Sequence, residues 1–325
     1  MRRFWILRGV VCSRPRRHFS AAVAPVLAAL VAAAPLSGCV SIAAGTTADV
    51  FVAASPGFDE FFELDTAEMA AAAAIVQLEG IRRLKPTHED LLLQLVRAYV
   101  AFAFAFVEER MEAAAERGDT AEEEHQRRRA IQLYSRGRAV ALYALRLQDD
   151  GLDEAMRGGE GPFVRWLREE FDDEEDAAIL FWAGYAIGAR ININRDDVSA
   201  AVEFPYARAL VQRSVELDER YYHAGGHVLL GSIYGEFGEA VGGNPALSRQ
   251  HFERALQITR RRTLLVQLQY ATTYAASQGN RQLFEQLLRE VIDSRVDEPS
   301  SRLANRVAQR RAARYLRQID ERVLQ

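Results

Sequence analysis

Lysine is nearly missing from this chain: of 41 basic residues, Lys85 alone is lysine and the rest are arginine. Cysteine is almost as scarce, with only Cys12 and Cys39 in 325 residues, which excludes a disulfide-stapled scaffold. Basic charge is not in excess, because 45 acidic residues outnumber the 41 basic ones. That balance argues against nucleic acid as a partner, and the arginine bias fits codon usage better than recognition. Runs that alternate apolar and polar residues between turns are also missing, so a sheet is not expected. The catalytic signatures HExxH and GxSxG are absent, as are a phosphate-cradling glycine loop and an isolated Cys/His pair. The chain therefore reads as a non-enzyme without cofactor or metal.

What is present begins with the first 38 residues. Arg2, Arg3, Arg8, Arg14, Arg16 and Arg17 precede an apolar run from Val23 to Leu36, with no acidic residue among them. This is the charged-then-apolar build of an export signal, and at 14 residues with Pro25 and Pro35 inside it is too short to span a bilayer. Leu36-Ser37-Gly38-Cys39 resembles the bacterial lipobox, which implies cleavage after Gly38 and lipidation of Cys39. Cys12 then leaves with the leader, and the remaining chain carries 35 basic against 45 acidic residues, a net charge of −10. More than one acyl chain is needed for stable anchoring, so the protein is expected to be tethered to a membrane without crossing it. Val40 and Ser41 follow the cysteine with no retaining Asp, which by the same resemblance favours the outer membrane over the inner one. The expected organisation is a lipoprotein signal (1–38), a lipidated tether (39–64) with an aromatic patch at Phe58, Phe61 and Phe62, and a helical domain (65–325).

From Asp65 onward the pattern is helical throughout, so the fold class is all-α. Asp65 and Glu68 form a capping-box pair for the first helix, and Pro86 stops it. Turn signals recur at Gly118-Asp119, Asp149 to Gly151, Gly158 to Pro162, Asn192 to Asp197, Gly242 to Pro245, Gly279-Asn280 and Pro299. A repeat near 34 residues, with small residues where two helices approach and large ones where they do not, is the mark of tetratricopeptide (TPR) helix pairs. Ala74, Leu78, Ile81 and Pro86 fit that pattern and run in phase into Leu92, Leu95, Val96 and Tyr99. Ala130, Tyr134 and Gly137 fit a second helix, and Leu230-Gly231-Ser232-Ile233-Tyr234 fits a first helix whose partner carries Phe252 and Ala255. Weaker pairs run from Ala183-Gly184 to Ala207 and Val211, and from Tyr270-Ala271 to Leu283 and Leu287. The expected architecture is an α-solenoid of degenerate TPR-like pairs.

The segments 242–258 (GGNPALSRQHFERALQI), 225–234 (GGHVLLGSIY) and 302–316 (RLANRVAQRRAARYL), in that context, resemble the T-component family of TPR-associated TRAP transporters. Ala98 to Glu109, Leu133 to Leu145 and Phe181 to Asp197 extend the resemblance over essentially the whole chain after the lipobox. It implies a periplasm-facing lipoprotein that forms a homotrimer and docks the periplasmic solute-binding subunit, or P component. It also implies a pore in each protomer that takes a hydrophobic solute. A general TPR scaffold lipoprotein for envelope assembly, with no ligand of its own, is the alternative.

Candidate residues follow from chemistry and spacing. Trp182 and Tyr185 are bulky amphipathic side chains on one helix, and Asn192 and Asn194 follow at its end, so aromatic surface and amide donors can meet at a cavity mouth. Phe102 and Phe106 share a helical face in Ala-Phe-Ala-Phe-Ala-Phe, with Phe104 pointing elsewhere, and line either core or an apolar channel. His223 and His227 have the i, i+4 spacing of zinc ligands, but Gly225 and Gly226 lie between them and no third ligand is near. His223 therefore reads as exposed, and His227 and His251 as hydrogen-bonded within the packing. His227 and Tyr234 are kept as ligand or partner contacts. Arg302, Arg306, Arg310 and Arg314 make an i, i+4 stripe on the last helix, whose like charges repel unless answered. Solvent and salt can answer them; so can Asp172, Asp173, Glu174 and Glu175, on this chain or on a neighbouring copy.

Overall fold

The computed structural model describes residues 43–236 and 243–323. Cys39 and the leader lie outside that range. Every regular element among the described residues is helical, so the chain is all-α. The long elements are α1 (43–54), α2 (Leu64–Leu84), α3 (Glu89–Glu116) and α4 (Thr120–Gln148), then α5 (Leu152–Arg157), α6 (Glu160–Glu170), α7 (Ala177–Ile193), α8 (Phe204–Leu217) and α9 (Tyr221–Glu236). The remainder are α10 (Pro245–Thr259), α11 (264–277), α12 (Arg281–Asp293), α13 (Arg302–Arg317) and the short α14 (Ile319–Arg322).

Helix starts follow local chemistry. Asp119, Asn244 and Asn280 each accept a bond from a backbone N–H three residues on, satisfying a donor that the first turn leaves open. The first long helix differs from the expected capping box. Its cap is Glu63, whose carboxylate accepts from the N–H groups of Asp65 (2.9 Å) and Thr66 (2.7 Å). The stretch expected as a tether also differs from residue 43 on. Helix α1 and the single turn Pro56–Asp59 pack onto the core, with Ala48 buried and Phe51, Phe58 and Phe61 laid against it.

Each long helix packs chiefly on its neighbours in the chain, α2 on α3, α3 on α4, α4 on α7, α7 on α8, α8 on α9 and α9 on α10. Small residues set the spacing: a Cβ on Gly184 would stand 2.5 Å from Val211 Cγ2, and one on Gly231 would stand 2.8 Å from the Phe252 ring. Helix α3 is apolar and long enough to cross a bilayer by composition. Leu91, Leu92, Leu95, Val96, Val100 and Val107 nevertheless have no exposed surface, being buried in the packing. Two cores result, one running from Ala48 to Leu210 and joined by Leu303, the other from Ala224 to Val323, with a small cluster of Val211, Leu230 and Tyr234 besides them.

The ends of the array meet. Helix α13 packs against α2 and the Pro56–Asp59 turn, and it is fastened to the far half of α3 by buried charge. Arg314 bonds Glu109 at 2.9 Å and Glu112 at 3.1 Å and lies 3.3 Å from Glu116, with only 7 % of its side chain exposed. Arg311 lies beside Glu108 and Glu109 and over the Phe104 ring, 4.3 Å from its centroid. Tyr134 donates to Glu108, and burial pushes the Glu108 carboxyl up to about 7 against the pull of Arg311. The intrachain partners expected for the arginine stripe are therefore corrected. Arg302 pairs with Asp297, Arg310 lies 3.7 Å from Asp65, and Arg314 takes the α3 glutamates. Asp172 to Glu175 are exposed at the turn that opens α7, where Asp173 and Asp176 cap one another. A row of i, i+4 residues slants around a helix, and so this one passes from exposed Arg306 and Arg310 to buried Arg314.

Candidate functional site

Between the two cores lies a cavity of about 300 Å³. Its wall draws on α1, α2, α3, α7, α9, α11 and α13, so residues from 51 to 307 share it. Such a volume lies at the low end for small-ligand sites and has room for one slender apolar molecule.

An aromatic cluster forms one side. Trp182 on α7 sits 4.9 Å from Phe181, 4.8 Å from Tyr222 and 5.8 Å from Tyr185, the last nearly parallel, and its indole N–H donates to the Tyr221 hydroxyl at 3.1 Å. Phe104 meets Tyr185 edge-on at 6.4 Å. Burial pushes the Tyr222 phenol up to about 12, so it is neutral and serves only as a hydrogen-bonding end on an apolar ring.

Two departures from regular helix shape this wall. Helix α3 contains a π turn at Ala103–Val107. The wider turn takes in an extra residue and rotates the register, so Phe102, Phe104 and Phe106 all line the cavity, whereas 3.6-residue spacing sends Phe104 away. Helix α9 opens with Tyr222, His223 and Ala224 in the left-handed region, at φ of 47°, 57° and 57°. Left-handed backbone costs about 1–2 kcal/mol for each residue with a Cβ, so the surrounding packing has to hold this turn. It places Tyr222, His223 and Gly225 together on the cavity wall. His223 is part-buried there rather than exposed, and its Nε2–H donates to the Ser300 carbonyl at 2.9 Å.

One formal ion pair borders the apolar space. Arg97 on α3 pairs with Asp59 on the single turn, with 18 % and 24 % of their side chains exposed. Its guanidinium lies 5.2 Å from the Tyr222 ring centroid and 6.0 Å from that of Trp182. The arrangement can hold an apolar body against aromatic faces with a charged group at one side. It contains no nucleophile–base pair, and among the described residues no group of three or more His, Cys, Asp or Glu is disposed to hold a metal.

Trp182, Tyr185, Phe102 and Phe106 line this cavity. Asn192 and Asn194 do not reach it: Asn192 accepts from Arg195 at 3.0 Å, and Asn194 donates to Asp197 at 3.1 Å. Seven residues of helix past Tyr185 carry Asn192 roughly 10 Å along the axis, where the amide serves the turn. His227 and Tyr234 also lie elsewhere, in the packing of α9 on its neighbours. His227 Nδ1 faces His251 Nδ1 at 2.8 Å, its Nε2 lies 3.3 Å from Glu219, and Tyr234 accepts from Gln212 at 2.9 Å and stacks on His251. Burial and the neighbouring His227 push His251 down to about 4. Arg97, Asp59, Tyr222 and Phe104 are among the cavity residues that spacing did not single out. The aromatic patch around Phe58 was the one visible sign that the 43–60 segment takes part.

The family described as TRAP transporter T-component matches residues 63–322, which is most of the chain and nearly all of the described helical array. The chain belongs to that family. A T-component is an accessory part of a transporter, in keeping with a site that offers surface and volume but no reacting group. A comparison with curated proteins gave no match.

Proposed function

We propose that this T-component is a lipid-anchored, periplasm-facing subunit that docks the solute-binding subunit of its transporter and takes a hydrophobic solute into the cavity between its two cores. The observation that carries the reading is the aromatic-walled space at Trp182, Tyr185, Tyr222 and Phe104, set in a chain of this family. Anchoring rests on the lipobox-like Cys39 and on the outer-membrane preference of the residues after it. Assembly as a homotrimer rests on the resemblance, with exposed Arg306 as a charge that a second copy can meet. The helix pairs read as a degenerate TPR-like α-solenoid. Close approach at Gly184 and Gly231 and neighbour-on-neighbour packing support that reading.

The test has two parts. Co-expression with a solute-binding protein encoded beside it should yield a complex on affinity purification, at a copy number read by native mass spectrometry. An environment-sensitive apolar dye should bind the purified chain and quench Trp182. Filling the space with Ala98→Phe should remove dye binding while leaving the helical circular-dichroism spectrum intact. Equal dye binding by the filled variant would refute the cavity as the solute site.

A further inference from the structure

Arg97 and Asp59 are the only Asp, Glu, Lys or Arg among the described residues that line the cavity, and the two halves of that pair are held differently. Arg97 projects from the first third of α3, and its guanidinium is flanked by the rings of Tyr222 and Trp182. Asp59 ends a four-residue turn, Pro56–Asp59, that has no buried residue. That turn is held by Phe58 against the core and by Arg302, whose Nη1 donates to the Glu60 carbonyl at 2.8 Å. Phe51, Ala54, Ser55 and Phe58 of the same segment line the cavity alongside Asp59. A guanidinium cannot shed its proton, and leaving one unpaired beside apolar surface is unfavourable, so this position requires an oxyanion. The chain supplies one from its least embedded neighbouring element.

Resting on the cavity reading above, the geometry points to an amphipathic carboxylic acid as the occupant, its carboxylate taking the place of Asp59 on Arg97 and its tail lying along Phe104, Leu229 and Val307. Exchange of one carboxylate for another leaves the charge on Arg97 paired throughout. Asp59, already partly exposed, passes to water at little loss. The planar guanidinium also favours a two-oxygen headgroup over a single hydroxyl. A neutral amphipath of equal length gains the apolar contacts but no ion pair. Entry of the acid also releases Asp59, one of the ties of the 43–60 segment, which links occupancy to the part of the chain that follows Cys39.

Calorimetric titration of octanoate and octanol into the full chain in lipid nanodiscs, with empty nanodiscs as blank, tests this. In Asp59→Asn, where no internal carboxylate competes, octanoate should bind roughly tenfold or more tightly than octanol, the usual margin of a charge-assisted over a neutral hydrogen bond; in the natural chain the same preference is reduced by the Asp59 pair that is given up. Arg97→Gln should erase that margin without weakening octanol. Asp59→Asn, which removes the internal competitor, should strengthen octanoate alone. The double variant Asp59→Asn/Arg97→Gln keeps both shapes without charge and should match octanol to octanoate, which guards against misfolding of either single variant. Equal binding of the two ligands by Asp59→Asn, or an acid preference that survives in Arg97→Gln, would overturn the headgroup assignment and leave the apolar cavity standing. Binding of neither ligand would overturn the cavity reading and this proposal with it.

Discussion

Gly231 gives the sharpest test of how the helices are spaced. It lies inside α9, and a Cβ built on it would stand 2.8, 2.9 and 3.0 Å from three atoms of the Phe252 ring. That ring has no exposed surface and stacks on Tyr270 at 5.0 Å, so it has nowhere to retreat. Adding one methyl to a packed contact of this kind costs about 1–3 kcal/mol. Alanine in place of glycine in a helix returns up to ~1 kcal/mol of backbone entropy. Gly231→Ala should therefore destabilise by about 1–2 kcal/mol, a fall in Tm of roughly 2–8 °C for a domain of this size. Gly188, inside α7, is the internal control, because a Cβ there meets nothing within 4 Å. Gly188→Ala should keep the entropy gain and raise Tm by roughly 1–4 °C. Thermal melts followed by circular dichroism would read both. A Gly231→Ala protein as stable as the natural one would refute the claim that this glycine sets the spacing of α9 and α10.

Further outcomes concern charge. Arg314→Ala strands Glu109 in a site where 9 % of its side chain is exposed. It should cost about 3 kcal/mol in urea unfolding, the low end for a broken buried pair because Arg311 lies 3.6 Å from the same carboxylate. Exposed Arg306→Ala should stay within about 0.5 kcal/mol of the natural chain. With its folded pKa depressed to about 4 by burial and by His227, His251 contributes stability that is full above its unfolded value of 6.5 and is lost as pH falls toward 4. Tm should drop between pH 6.5 and 4.5, and His251→Gln should flatten that slope. Glu108 has the opposite sign. Its pKa is raised by burial from 4.5 to about 7, so its contribution is full below 4.5 and is lost as pH rises through 7. Glu108→Gln should remove the loss between pH 4.5 and 7, and an unchanged pH profile would count against the buried position of this carboxyl.

Much of the fold was legible because its causes are local. Asn and Asp caps mark helix starts, and the small residues at Gly184 and Gly231 fall where two rods touch. Leu92, Leu95 and Val96 show the core face of α3 by spacing alone. Trp182 and Tyr185 were legible as site candidates because a pair of amphipathic aromatics on one helix is conspicuous. Asn192 and Asn194 misled, since an amide at a helix end looks the same whether it awaits a ligand or closes a turn. Phe104 was assigned away from Phe102 and Phe106 because a π turn leaves no mark in apolar periodicity. For the arginines of the last long helix, spacing left open solvent or acidic residues such as Asp172 to Glu175, and within the chain Arg314 takes Glu109, Glu112 and Glu116.

By itself, the sequence determined the helical class, the placing of most turns, the apolar faces and the points of closest helix approach, all of which depend on residues within a few turns of one another. Only the tertiary structure decided that the last helix returns to the second and third, that Asp59, Arg97, Tyr222 and Ser300 border one space, and that His223 faces that space while His227 does not. Those facts depend on the sum of many small inter-helix rotations and on two irregular turns, and no short-range pattern encodes such a sum.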